Sequence, residues 1–290
     1  MSRKFGMRRW EFPVSPTKRG GLACVSLLLL SIVIDFGALG AQKAVPYLSA
    51  LPPISSALYF AVASESPGSV YEFNMLTKDI SVLYTRPHGQ LYSFTFHPGI
   101  PEKLYYVNAN DTKIFRVLWL QDHWSEEEVI YQHTTYVRDI AFGPEPVTGT
   151  PAPGGPPLRL FFSEATGASG GKIYYLDGRN RPVLFYEVRM WWAGDFAFDE
   201  NGILYLSSGN RTPAKLYKVE RGTVYTLYQH PEPIKGFVVR GGKIYFANWR
   251  GSIYVLDLAT GELQEILKDP GIRWLSDVNF RDEAAVKERP

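Results

Sequence analysis

The stretch WAGDFAFDENGILYLSSGN, residues 192–210, decides how this chain is read. An acid, Asp195, stands in front of an alternating apolar run. Asn201-Gly202 follows, a dipeptide suited to a tight hairpin turn, and a second apolar run returns to Ser208. The stretch therefore predicts two antiparallel strands entered by a carboxylate.

The same unit recurs. SFTFHP, DIAFGP, DFAFDE, GFVVRG and DVNFRD begin at Ser93, Asp139, Asp195, Gly236 and Asp277, which sets them 46, 56, 41 and 41 residues apart. Each of the first four is followed by a second run (LYYVNAN, LFFSEAT, LYLSSGN, IYFANW), a third (IFRVLW, IYYLDG, LYKVER, IYVLDL) and a fourth (EEEVIYQ, RPVLFYE, TVYTLYQ, ELQEILK). Four short strands at a period of roughly 40–45 residues are the pattern of β-propeller blades. The long interval holds GPEPVTGTPAPGGPP, a Pro/Gly-rich insertion between the first two strands of its blade.

The chain ends suggest how the ring closes. LYFAVAS, VYEFNM and ISVLYT, from Leu58, supply three strands of a blade that lacks its first, and DVNF at Asp277 is a first strand without successors. Joined, they make a complete blade and leave no open edge between the termini. The expectation is an all-β propeller of five four-stranded blades over residues 58–282, with a tail at 283–290. A sixth blade has room only in residues 42–57, which read as a Pro-rich linker.

Residues 1–41 differ from the rest. Six basic residues precede GLACVSLLLLSIVI, an apolar run interrupted by Asp35 and followed by the small residues FGALGAQ. This is the layout of a cleaved signal peptide or a retained membrane-anchor helix, with the body exported in either case. Of the 31 basic and 29 acidic residues, that segment takes six and two, so the body is slightly acidic and lacks the electrostatic footprint of a nucleic-acid binder. Cys24, the single cysteine, lies in the apolar run, so the body has no disulfide and no thiolate chemistry.

Propeller geometry groups residues by face. The start of each first strand and the end of each second strand share one mouth of the central channel. Asp139, Asp195 and Asp277 fall there, with Glu164, Asn108 and Asn248. Oxygen ligands of this kind suit a hard cation such as Ca²⁺. The competing reading is structural, with each Asp capping turn amides or pairing with a nearby Arg138, Lys235 or Arg273. Tyr136, Trp191, Trp192 and Trp274 lead into first strands on the same face. Their amphipathic rings suit contact with a partner or saccharide, and equally the wedge between blades.

The unit D-[IF]-A-F-x-x-x-G-x-L-Y, with the Ile-Tyr-x-Leu strand after it, resembles the NHL-repeat, TolB-like and gluconolactonase/strictosidine-synthase-like propellers. The gluconolactonase likeness implies a divalent cation held on the channel face, for which Glu164, Asn108, Asn248 and Asp195 are the matching positions. It implies a cation-dependent hydrolase or lactonase. The NHL and TolB likeness implies a binding platform, and Ser93 and Gly236, standing where further acids would complete a ring, favour that reading. The sequence is thus read as an exported or membrane-anchored module that binds a protein, saccharide or other small ligand through its channel face. A structural subunit of a cell-surface assembly is the remaining alternative. The five histidines show no HExxH spacing, and no nucleophile elbow is present.

Overall fold

The computed structural model describes residues 57–281 apart from 109–110, 147–155, 166–169 and 193. The proposed signal or anchor at 1–41, nearly all of the linker and the tail lie outside the described residues.

Five sheets stand around one axis. Their inner strands are Leu275–Asn279, Ser93–His97, Ile140–Pro144, Phe196–Phe198 and Lys235–Arg240, which open the first to fifth blades respectively. Each inner strand packs beside its neighbours in turn, and the fifth returns to the first, so five blades complete the circle. The first blade is built from both chain ends, as expected. Leu275–Asn279 pairs antiparallel with Ala57–Val62, matching Tyr59 to Asn279, Phe60 to Val278 and Ala61 to Asp277. The second blade departs from the four-strand plan: its third strand, Lys113–Leu120, also pairs with a two-residue strand, His123–Trp124, before the outer strand Glu128–Gln132.

The turns follow from side chains that imitate backbone acceptors. In the opening stretch, Asp199 Oδ1 accepts the N–H groups of Asn201 and Ile203, both at 2.9 Å, and Gly202 takes a positive φ of 76°. Asn74, Asp177 and Asp257 perform the same service in hairpins between third and outer strands. Asn or Asp at those repeated positions is a turn device.

The core is divided into five wedges, one at each blade boundary. Between the first and second blades, Tyr59 and Val70 meet Phe94 and Tyr106; between the third and fourth, Phe161 and Ile173 meet Phe196 and Leu206. The remaining three boundaries are filled in the same way. Alternation along a strand sends successive side chains to the two flanking wedges, so inner strands are apolar on both faces. That leaves the strand edges at the axis, where backbone from five blades converges and polar groups must be matched.

Candidate functional site

At the axis the repeated acids are buried, each less than a twentieth exposed. Asp139 Oδ1 accepts the N–H of Ile140 at 2.9 Å and the hydroxyl of Ser93, from the second blade, at 2.5 Å. Its Oδ2 accepts the N–H of Phe196, the first residue of the fourth blade's inner strand, at 2.8 Å. Asp277 repeats the motif, with Oδ1 on the N–H of Val278 at 2.8 Å and Oδ2 on the N–H of Phe94 at 2.9 Å. Asp195 Oδ2 accepts the hydroxyl of Ser207 at 3.1 Å within its own blade. Asp139 and Asp277 each hold the N–H that follows them and stitch one blade to the next, while Asp195 bonds within its own blade.

The two gaps in the acid repeat have different causes. Ser93 supplies a hydroxyl donor where a carboxylate would repel Asp139. Gly236 is a matter of space: a Cβ there would lie 2.2 Å from the Cα of Asp277 and 2.3 Å from its Oδ1.

Electrostatics divide the three acids. Burial pushes Asp195 up, with Lys235 and Arg138 pulling it back. Burial and then Asp195 push Asp139 up to about 7, and burial with Asp139 holds Asp277 well above the usual carboxylate range. Donors to Asp139 and Asp277 are neutral hydroxyl and backbone groups. Lys235, itself out of water, is pushed down to about 8 by burial, against the pull of Asp195.

Beyond Asp195, on the mouth where inner strands begin, cations and rings alternate. Arg138 lies 4.8 Å from the Tyr92 ring centre, Lys235 Nζ lies 4.1 Å over Trp249, and Trp249 meets Trp274 at 4.8 Å. The predicted aromatic contacts divide here. Tyr136 and Trp274 are exposed, at 59% and 46%. Trp191 is half-buried beneath Arg211, with its indole N–H on Ser208 O at 3.2 Å. Trp192 is fully buried, its indole N–H on Asp195 O at 2.9 Å, in the wedge between the third and fourth blades. Its ring serves packing.

The other predicted ligands sit apart, on three blades. Glu164 Oε2 meets His133 Nε2 at 3.1 Å and Tyr174 OH at 3.4 Å; burial raises this acid, but His133, Thr135 and Lys172 together leave it below the usual range. Asn248 Oδ1 caps the N–H groups of Arg250 and Ser252, while its amide donates to Glu232. Asn108 accepts Asp111 N–H through its backbone carbonyl at 3.2 Å. Among the described residues no three His, Cys, Asp or Glu side chains are grouped as a metal centre.

Sequence reasoning missed a concavity. A cavity of about 560 Å³ opens at the opposite mouth, among the turns that end the inner strands, and reaches inward to Asp139 and Asp277. All five blades line it, through residues such as Phe96, Phe142, Phe198, Val238 and Asn279. These residues read as ordinary strand core, because a period of two does not separate a wedge from a channel wall.

No family model matches the chain, and no curated protein matches it. Solved structures do share its fold. A chain from the crystal structure of the nidogen/laminin complex aligns with a TM-score of 0.51 at 12% identity, covering 77% of this chain and 97% of that one. TolB from Acinetobacter baumannii (TM-score 0.46, 13% identity, 76% and 55% coverage) and a luciferin-regenerating enzyme (0.42, 15%, 74% and 71%) are more distant in shape. The chain is a five-bladed propeller, similar in fold to the nidogen/laminin chain.

Proposed function

We propose that this protein is an exported or membrane-anchored binding module whose ligand enters the channel cavity at the mouth where the inner strands end. The cavity itself carries the reading. Its volume is in the range of small-molecule sites, and it combines apolar walls with a few convergent polar groups. Its deepest acids are taken up in bonds between strands, which suits holding a ligand better than turning one over. The basic-then-apolar segment at 1–41 supports placement outside the cytoplasm.

A fragment screen by thermal shift tests the proposal. Hits should raise the melting temperature of the wild type and lose their effect in Val238→Trp, which fills the cavity, and in the gentler Ala141→Leu. Hits indifferent to both variants, or an absence of hits, would overturn it. Fractionation of the tagged full chain in its own host should recover it from the membrane or extracytoplasmic fraction.

A further inference from the structure

Resting on that cavity, we infer that its ligand is a small organic cation: a protonated or quaternary amine with an aromatic or alkyl body.

The argument begins with charge. Five acids line the cavity (Asp139, Glu145, Asp199, Glu200 and Asp277) against one basic residue, Arg240. Glu145 is paired with Arg159 at 2.8 Å, and the rest are held by neutral groups. Asp199 accepts turn N–H groups and the Tyr205 hydroxyl, and Glu200 accepts the N–H of Gly241. Hydrogen bonds from neutral donors orient a carboxylate without cancelling its charge. A concave, low-dielectric wall concentrates the resulting field inside the cavity.

The axis adds two acids without a cation of their own. Asp139, Asp195 and Asp277 share the channel centre with Lys235 and Arg138, three acids against two cations. Both cations act on Asp195. Asp139 and Asp277, the two acids that reach the cavity, face its interior with no cation bonded to them among the described residues. Without one, these two acids hold a proton, Asp139 up to about pH 7, and a positive group entering from the open mouth takes that proton's place.

The walls then select the body of the ligand. Phe142, Phe185, Phe198 and Phe280 are among the lining residues, and aromatic faces attract cations as well as apolar groups. Arg240 is turned onto Phe280, 5.0 Å from its ring centre. An anion would meet the acids before it could use that guanidinium.

Three probes of one shape separate charge from apolar binding: 4-phenylbutylamine, 4-phenylbutanol and 4-phenylbutyrate, titrated calorimetrically at pH 7.5. The amine should bind at least about tenfold more tightly than the alcohol, with the carboxylate weakest. Glu200→Gln at the rim should weaken the amine several-fold and leave the alcohol unchanged, and Val238→Trp should abolish both. Equal or tighter binding of the alcohol or the carboxylate would overturn the cation inference while leaving the cavity reading intact. Amine binding that survives Val238→Trp would put the cation elsewhere and overturn the inference. Failure of all three probes on folded wild-type protein would overturn both.

Discussion

Asp139 of the third blade accepts the backbone N–H of Phe196, the residue that opens the inner strand of the fourth, at 2.8 Å. The same carboxylate holds Ser93 of the second blade, so one side chain ties three consecutive blades at the axis. Wedge packing alone lets neighbouring blades slide, because dispersion contacts are not directional. A carboxylate bonded across the boundary fixes their register.

Removing that side chain should therefore cost far more than its small apolar area implies. Asp139→Ala leaves the Phe196 N–H and the Ser93 hydroxyl buried without an acceptor, each worth roughly 1–3 kcal/mol. A loss of about 3 kcal/mol or more is expected in urea unfolding. Asp139→Asn keeps one acceptor oxygen and removes the buried charge, so it should lose distinctly less. A loss under about 1 kcal/mol for the alanine variant would mean the wedges set the register by themselves.

The elevated acids also predict an unusual pH profile. A carboxyl raised in the folded state holds its proton after the unfolded chain has released it, so folding binds protons and stability falls as pH rises. For Asp139 the window runs from the ordinary aspartate value to about 7, and Asp277 shifts in the same direction. Lys235, lowered to about 8, adds no slope there; its contribution is a gain of stability as pH rises above 8. His97, lowered by burial, opposes the acids over part of the window. The urea midpoint should be higher at pH 5 than at pH 7.5, by on the order of 2 kcal/mol in stability. Asp139→Asn should flatten the difference. A wild-type profile that rises over this range would show the carboxyls are charged throughout.

Much of the fold was legible because a propeller writes its architecture as a linear period. The runs after Ser93, Asp139, Asp195 and Gly236 each contained a whole blade, and the orphan strands at Leu58 and Asp277 specified closure. The added strand His123–Trp124 was hidden in a short polar hairpin with no counterpart in the other blades. The centre was legible only in outline. That Asp139, Asp195 and Asp277 share an axis followed from the repeat. Gly236 looked like a missing acid until the approach of Asp277 gave it a spatial reason. Of the adjacent pair Trp191 and Trp192, alternation predicts opposite sides, but only the neighbouring blade shows which side is buried. The cavity at the other end of the strands went unread for the same reason: phenylalanines that line it also pack the wedges.

Closure by the C-terminal strand makes its own prediction. Val278 is fully buried opposite Phe60, at the join between the two ends of the chain. Val278→Asp places a charge in the wedge between the fifth and first blades and should prevent accumulation of soluble protein. Val278→Ala should fold with a loss of about 1–3 kcal/mol. Val129→Ala, on the exposed outer strand of the second blade, should be nearly neutral. Equal effects at 278 and 129 would mean the join is dispensable.

A bound Ca²⁺ at the channel acids is tested by chelation. Both oxygens of Asp139 and both of Asp277 already accept hydrogen bonds, so direct ligation of a metal ion would break bonds that join strands and blades. EDTA is expected to leave the melting temperature within about a degree of its starting value. A fall reversed by Ca²⁺ would place a cation here, since a ligand of the native state stabilises it by mass action. That outcome would return the hydrolase reading to the front.

Trp274 offers a test of the other mouth. It is half-exposed, yet its backbone takes a positive φ of 66°, a conformation that costs a residue with a Cβ roughly 1–2 kcal/mol. The backbone needs this turn, because Trp274 N–H donates to Trp249 O at 2.9 Å and Trp274 O accepts from Ala63 N–H at 2.8 Å. Glycine satisfies both bonds without strain, and the ring it removes makes one aromatic contact, with Trp249. Trp274→Gly should therefore match or exceed the wild type in urea stability. Such a result, with loss of binding to a partner captured by the wild type, would mark the indole as a recognition surface. A loss of more than about 2 kcal/mol would instead show that the Trp249–Trp274 pair is structural and clamps Lys235 beneath it.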